Sequence, residues 1–443
     1  MRRSLAIAGA ALACAVAGTP LGAQGSGVDQ QSACMSGRVG AGVASPCDDA
    51  SAVYFTPAGL ALHGSAVSLG VTMVRTSATF RYHANATPPT EDNPIRREAE
   101  LVPVPQAFAS YRASPRLAVG VGAFAPFGLT IAWPVCPVED PGCDGQNFEG
   151  RYTGYDNTLK AIFVQPTVAY QVTPALSVGV GLDYVRMNIE VHQRADAPQL
   201  GLQGRDFADA ALEGEGSGWT GQVGAVYQLS PRTSVGARFL FATEVELSGD
   251  ADFTQIPTGT VFDAVLAGQF LAGQQLADQP ISTTVELPSQ LVVGVSHRPT
   301  ERLNLLLDYQ WSEWSNFDRF DIAFEDSGDT TALNLGYRDT NTFRFGAQYG
   351  WSDALALRAG FRYNTAATPR ASPFLPEGER NYYTLGLGYR VTPALSADFS
   401  FQYVNQPDRA GTVRPGGPEV GVYSTSGQTF GFTLAYRFGG GGR

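Results

Sequence analysis

The feature that most constrains this chain is a two-residue rhythm that recurs along nearly all of its length. In "LNLLLDYQW", Leu303, Leu305, Leu307, Tyr309 and Trp311 fall on one face and Asn304, Asp308 and Gln310 on the other. The same alternation returns over Leu176–Tyr184, Thr342–Tyr349 and Thr429–Phe438. Period two places successive side chains on opposite faces of a strand and excludes an amphipathic helix. Beyond the first two dozen residues no apolar run approaches the roughly 20 residues that a membrane-spanning helix requires. The fold class is therefore all-β, built from antiparallel strands with one apolar face.

A soluble sandwich would alternate in the same way, so the connections decide. Short turns of one flavour recur: "RASPRLAVG", "QVTPALSVG", "QLSPRTSVG", "HRPTERLNL", "GWSDALALRAG" and "RVTPALSAD". Between them lie long polar or Gly/Pro-rich stretches, near residues 84–104, 131–157, 193–216, 248–283, 316–340, 365–379 and 405–427. Strict alternation of short and long connections is the pattern of an outer-membrane barrel, with short periplasmic turns and long outer loops. Six short turns with a strand at each end predict a transmembrane antiparallel β-barrel of about 14 strands. Closure satisfies every backbone donor within lipid. Tyr309, Trp311, Tyr349, Tyr389, Tyr403 and Tyr436, near strand ends, suit the aromatic belts at the interfaces.

The first residues are not part of this rhythm. Arg2 and Arg3, an apolar stretch from Leu5 to Ala17 and a small-residue ending at Ala23 read as a secretory signal over residues 1–23. Cys14 raises a lipoprotein alternative, although Ala11 stands where such signals carry Leu. Residues 24–63 follow, containing "DDASAVYFTPAGLA", which reads as neither helix nor strand. With no strand partner of their own, they are expected to fold into the lumen as a hatch, followed by the barrel over 64–438 and a Gly-rich tail over 439–443. Export exposes Cys34, Cys47, Cys136 and Cys143 to an oxidising compartment, so Cys34 is expected to pair with Cys47 and Cys136 with Cys143. Zinc is the alternative, but no His lies near either pair, and no metal or cofactor is expected.

Charge and histidine content narrow the function. The net charge is −11, and −13 once Arg2 and Arg3 are removed with the signal, which disfavours a nucleic-acid partner. His63, His83, His192 and His297 are the only histidines, and none stands in a clear constellation with Ser and an acid, so a lipid hydrolase is the weakest alternative and the chain is expected not to be an enzyme. A polar-solute porin is the stronger rival, opposed by apolar lumenal positions such as Val226 and Leu306.

Three places stand out as candidate sites. In "LAVGVGAFAPFGLT" the alternation from Leu117 breaks at Phe124, Ala125, Pro126, Phe127 and Gly128. Pro126 cannot donate to a ladder, so a bulge or gap in the third strand is expected there. The loop "TGTVFDAVLAGQFLAGQQLAD" places Val265, Leu266, Phe270 and Leu271 along a helical stripe, a landing place for a greasy ligand. The lumenal face carries Arg344, Arg358, Arg362, Arg390 and Arg437. Arg344, Arg358 and Arg362 are candidate contacts for a ligand carboxylate, with pairing to inward acids such as Asp183, Asp308 and Asp398 as the alternative.

Together, "DDASAVYFTPAGLA", "VGVGAFAPFGL" and "LPSQLVVGVSHRPTERLNLLLDYQWSEWSNF" resemble the outer-membrane long-chain fatty acid transporters of the FadL type, whose members also import aromatic hydrocarbons. The resemblance implies a barrel with a lumenal hatch, a hydrophobic groove between outer loops, and a lateral exit at a kinked third strand. It also implies a hydrophobic small-molecule ligand, membrane lipid and the outer-membrane assembly machinery as partners, and a monomer. Such proteins usually carry Asn-Pro-Ala in the hatch; this chain has Thr56, Pro57 and Ala58, and Thr lacks the amide donors of Asn. The terminal aromatic of the assembly signal corresponds to Phe438.

Overall fold

The computed structural model describes residues 27–83, 94–97, 101–138 and 148–438. Fourteen strands close into one antiparallel barrel. They are β1 Ser65–Tyr82, β2 Leu101–Arg112, β3 Leu117–Ala132, β4 Asp156–Gln171, β5 Leu176–Ala197 and β6 Leu202–Ser230. Four strands are interrupted: β7 (Thr233–Leu240, Thr243–Gln255), β8 (Gln279–Leu287, Gln290–His297), β9 (Leu303–Ser312, Arg319–Phe324) and β10 (Thr330–Asn334, Thr340–Gly350). The circuit ends with β11 Leu355–Asn364, β12 Arg380–Arg390, β13 Leu395–Asn405 and β14 Gly421–Phe438. β14 lies against β1 from Ser65 opposite Phe438 to Tyr82 opposite Gly421, so no edge remains at the seam.

The alternation maps onto this wall as lipid outside and lumen inside. Leu69, Leu182, Leu385, Phe432 and Tyr436 are exposed on the outer face, whereas Ser68, Thr72, Thr433 and Ala435 between them are buried. Several of the expected loops contain strand; within 316–340, Arg319–Phe324 and Thr330–Asn334 pair as the upper parts of β9 and β10. Residues 193–216 are the upper parts of β5 and β6, which stay paired to Ala197 opposite Leu202, and the stretch beginning at residue 248 is still strand to Gln255. Their side chains are polar because these hairpins stand in water above the bilayer, where polarity does not mark a loop.

The barrel is filled from below by residues 27–63. Their helices are short: α1 Ala33–Gly37, α2 Ala52–Phe55 and a tight turn of 3₁₀ helix over Pro57–Leu62. Ser32 caps α1 by accepting from Met35 N and also donates to Asp49 Oδ2 at 2.5 Å. Cys34 and Cys47 are joined in a disulfide that closes the segment on itself. Glycines on the lumenal wall allow this backbone to approach. A Cβ on Gly386 would lie 2.7 Å from Gly37 Cα, and one on Gly236 would lie 2.5 Å from Val43 O. The large buried side chains, among them Phe80, Phe127, Leu129, Ile131, Phe163 and Phe317, lie inside the barrel above this plug.

Candidate functional site

The third strand is where the wall is broken. β3 pairs with β2 only from Arg112 opposite Ala118 to Ala107 opposite Ala123. Above Ala123 it leaves β2 but stays with β4, whose ladder resumes at Phe127 opposite Ala161 after an irregularity spanning Phe124 to Phe127. Every residue from Phe124 to Ile131 is buried, on both faces of the strand, because this half turns inward from the lipid. Ala125 and Pro126 together stand opposite Ile162 alone, a bulge of one extra residue that the missing donor of Pro126 allows.

The hatch occupies the edge that β2 has left. Phe127 is bridged to Ala161 on one side and to Gly27 on the other. Val28 N donates to Pro126 O at 2.7 Å, and Gln31 Nε2 donates to Ala125 O at 2.8 Å. Thus the first described residues do find a strand partner, contrary to the expectation from sequence. Tyr54 packs on Phe124 with ring centroids 5.0 Å apart, and Phe163 lies 6.0 Å beyond Phe124 and 5.9 Å from Phe127. Thr56, Pro57 and Ala58 are placed elsewhere. A Cβ on Gly179 would meet the Pro57 and Ala58 backbone at 2.4 and 2.5 Å, and Gly224 lies beneath Pro57 and Thr56, so this tripeptide rests on β5 and β6.

On the far wall the contacts are ionic. Asp29 Oδ2 accepts from Arg344 Nη2 at 2.9 Å and from Arg362 Nη1 at 2.5 Å, and its Oδ1 accepts from Tyr54 Oη at 3.2 Å. Burial alone would raise the Asp29 carboxyl; Arg362 and Arg344 outweigh it and hold the group well below the usual carboxylate range. Burial, reinforced by Asp29, pushes the Tyr54 phenol up, so it remains a donor. Arg358 donates to Asp398 at 2.5 Å and to Gln348 at 2.9 Å. Asp308 accepts from the amides of Gly42 and Val43 at 2.7 and 3.0 Å. The three arginines singled out from sequence are thus each paired with a carboxylate, two of them with the hatch itself. Arg390 is exposed, and Arg437 lies 3.7 Å from Asp48.

Immediately above the kink, a cavity of about 60 Å³ is lined by Leu129, Leu159, Ile189, Val285, Phe317 and Phe320 among others, with little polar lining. With few polar partners for water, this space suits part of an apolar molecule. Below the hatch the character reverses. A periplasmic vestibule of about 580 Å³ is lined by Asp48, Asp49, His63, Arg302, Arg358 and Arg437 among others.

The outer-loop stripe is divided. Only Asp263–Ala267 is α-helix, and Leu266 is buried in a small cluster with Ala197 and Leu202, separate from the main core. Val265 and Leu271 are exposed and Phe270 is half-buried. Cys136 is disulfide-bonded; its expected partner Cys143 lies outside the described residues, as do the signal and the tail.

This arrangement can be set beside known proteins. The sequence profile of the outer membrane protein transport protein family (OMPP1/FadL/TodX) matches residues 14–438. The chain belongs to this family. It is 27% identical over 408 residues to outer membrane protein P1 of Haemophilus influenzae, covering 83% of each chain. It is 24% identical to the 47 kDa outer membrane protein of Pasteurella multocida, covering 91% of each. Among solved structures, a Pseudomonas aeruginosa FadL homologue superposes with a TM-score of 0.79 at 21% identity, over 94% of this chain and 100% of that one. The Pseudomonas putida toluene transporter TodX gives 0.70 at 19% identity, over 94% and 99%. The protein is an outer-membrane barrel of a family that transports hydrophobic compounds.

Sequence reasoning missed Asp29, Val28 and Gln31, which hold the hatch between the kink and the arginines. It also missed the apolar cavity, whose lining comes from six strands. No local pattern marks either.

Proposed function

We propose that this protein carries long-chain fatty acids or similar apolar molecules passively across the outer membrane, and that they leave sideways into the bilayer where β3 parts from β2. The observation that carries this reading is the juxtaposition of the apolar cavity at Leu129 and Phe317 with the inward half of β3. A ligand in that cavity stands next to the break in the wall. Continuing straight down would bring it into the charged vestibule, and each methylene exposed there forfeits about 0.8 kcal/mol. A side door into lipid avoids that loss. The exposed Val265 and Leu271 of the outer loop supply a first contact, and the hatch residues Gly27–Gln31 act as the gate. In this reading Arg344 and Arg362 seat the hatch.

Native mass spectrometry of the detergent-purified protein tests this. A co-purified fatty acid or hydrocarbon is expected. Conductance of polar solutes through a planar bilayer, with no apolar ligand retained, would favour a polar-solute porin instead.

A further inference from the structure

When β3 turns inward it leaves two raw strand edges, one its own and one belonging to β2. Residues Gly27 and Val28 occupy the first. The second is unpaired: β2 is laddered to β1 from Leu101 to Ser110, yet among the described residues no strand meets Leu101–Gln106 from the β3 side. A bare edge of this kind invites re-pairing.

The sequence of that edge is "LVPVPQ", and its register fixes which way each backbone group points. Pro103 stands opposite Met73 and Pro105 opposite Val71 on β1. A proline cannot belong to a pair that exchanges two N–H to O bonds. The ladder to β1 therefore runs through Val102, Val104 and Gln106, and the backbone of Pro103 and Pro105 faces the gap. Both positions thus present carbonyls and no donors toward β3. On the outer face the same lip is apolar, with Leu101 and Pro105 exposed.

We infer that Pro103 and Pro105 are positioning residues that keep the side opening from zipping shut. They deprive β2 of the two donors that a straightened β3 would need, so the break in the wall is maintained from both sides: by the bulge at Pro126 on β3 and by the donor-free edge on β2. This inference rests on the lateral exit proposed above only for its consequence for transport; the edge itself can be read separately.

If the register that ends with Ala107 opposite Ala123 continued upward, Val102 would stand opposite Gly128. Val102→Cys with Gly128→Cys therefore reports zipping by disulfide formation, scored by mass spectrometry of peptides from the barrel purified from outer membranes. In this background Pro103→Val with Pro105→Thr restores both donors. The crosslinked fraction is expected to rise about tenfold, as two added backbone bonds of ordinary strength imply. The same proline pair, replaced in the otherwise unaltered protein, is expected to lose most uptake of hexadecanoic acid while the barrel stays heat-modifiable. No rise in crosslinking in a correctly assembled barrel overturns the inference, whether or not uptake changes. A rise with uptake unchanged supports the donor-free edge and overturns the lateral exit. Should the double proline variant fail to assemble, Pro105→Thr alone restores the donor nearest the last paired residue and is judged by the same crosslink, with a smaller rise expected.

Discussion

Two of the walls that the hatch touches hold it in different ways. Against β9, β10 and β11 the contacts are charged and buried: Asp29 sits between Arg344 and Arg362, and Asp308 accepts from the amides of Gly42 and Val43, while the neighbouring Arg358–Asp398 pair of β11 and β13 lies beside Gly37. Against β3 they are neutral: one backbone bond from Val28, one amide bond from Gln31, and the ring of Tyr54 on Phe124. Removing one partner of a buried ion pair leaves an uncompensated charge, whereas parting two neutral groups leaves none. The hatch is thus anchored on one side and only rests on the other. Movement that opens a path should begin at the kink.

The most damaging way to break this comparison is to make the kink wall like the others. Pro126→Val with deletion of Ala125 removes the bulge and restores phase, and it is expected to abolish uptake of apolar ligands while leaving a heat-modifiable barrel. Uptake by whole cells and gel mobility before and after heating check it.

Removing the anchor is expected to have the next largest effect. Asp29→Ala strands two buried guanidinium groups, at about 3–5 kcal/mol, read as a lower denaturant midpoint for protease protection of the hatch. Acid is expected not to mimic this substitution near neutrality. The Asp29 carboxyl is lowered on folding, so its contribution is complete above the unfolded value and is lost only as pH falls through the lower folded one. The loss of protection caused by Asp29→Ala should therefore be the same at pH 5 as at pH 7.

Cys34→Ser with Cys47→Ser leaves both walls intact but loosens the segment between them. Closing a loop of this size is worth about 3 kcal/mol in the chain-entropy account, so a smaller fall in the same midpoint is expected.

Arg358→Ala with Arg362→Ala sharpens the assignment of the anchored wall. If these residues serve the hatch, uptake of hexadecanoic acid and of uncharged hexadecane changes by the same factor. A selective loss of the acid would return them to the role of carboxylate contacts. The smallest effect is expected from Val265→Ser with Leu271→Ser on the outer loop, where stability should move by less than about 0.5 kcal/mol. Uptake should fall only at limiting ligand.

Much of this architecture is legible in the sequence because it is local. Alternation marks the strands, the short turns between them count them, and Pro126 inside an alternating run announces the bulge. What depends on pairing across the lumen is not legible. Asp29 sits in "GVDQQS", a run with no pattern, and gains its role only when β10 and β11 bring Arg344 and Arg362 to it. Nothing local to Thr56–Ala58 says where in the lumen this turn rests; the close approach that Gly179 and Gly224 allow on β5 and β6 appears only once the barrel is closed. Val265, Leu266, Phe270 and Leu271 share a stripe, yet the helix stops at Ala267 and Leu266 turns toward the β5–β6 hairpin. One signal was readable: two prolines in "LVPVPQAF" mark an edge within a closed wall, although polarity upstream placed the region in a loop.

The central claim is that the ligand leaves through the wall between β2 and β3. Photolabelling in native outer membranes with a diazirine-bearing hexadecanoic acid, followed by peptide mass spectrometry, tests it most directly. The account predicts adducts at Phe124–Phe127 and on the lipid-facing lip at Leu101 and Pro105, competed by unlabelled acid. Competed adducts at Asn304, Arg302 and His63 in the periplasmic vestibule, with none on the β2 lip, would contradict it.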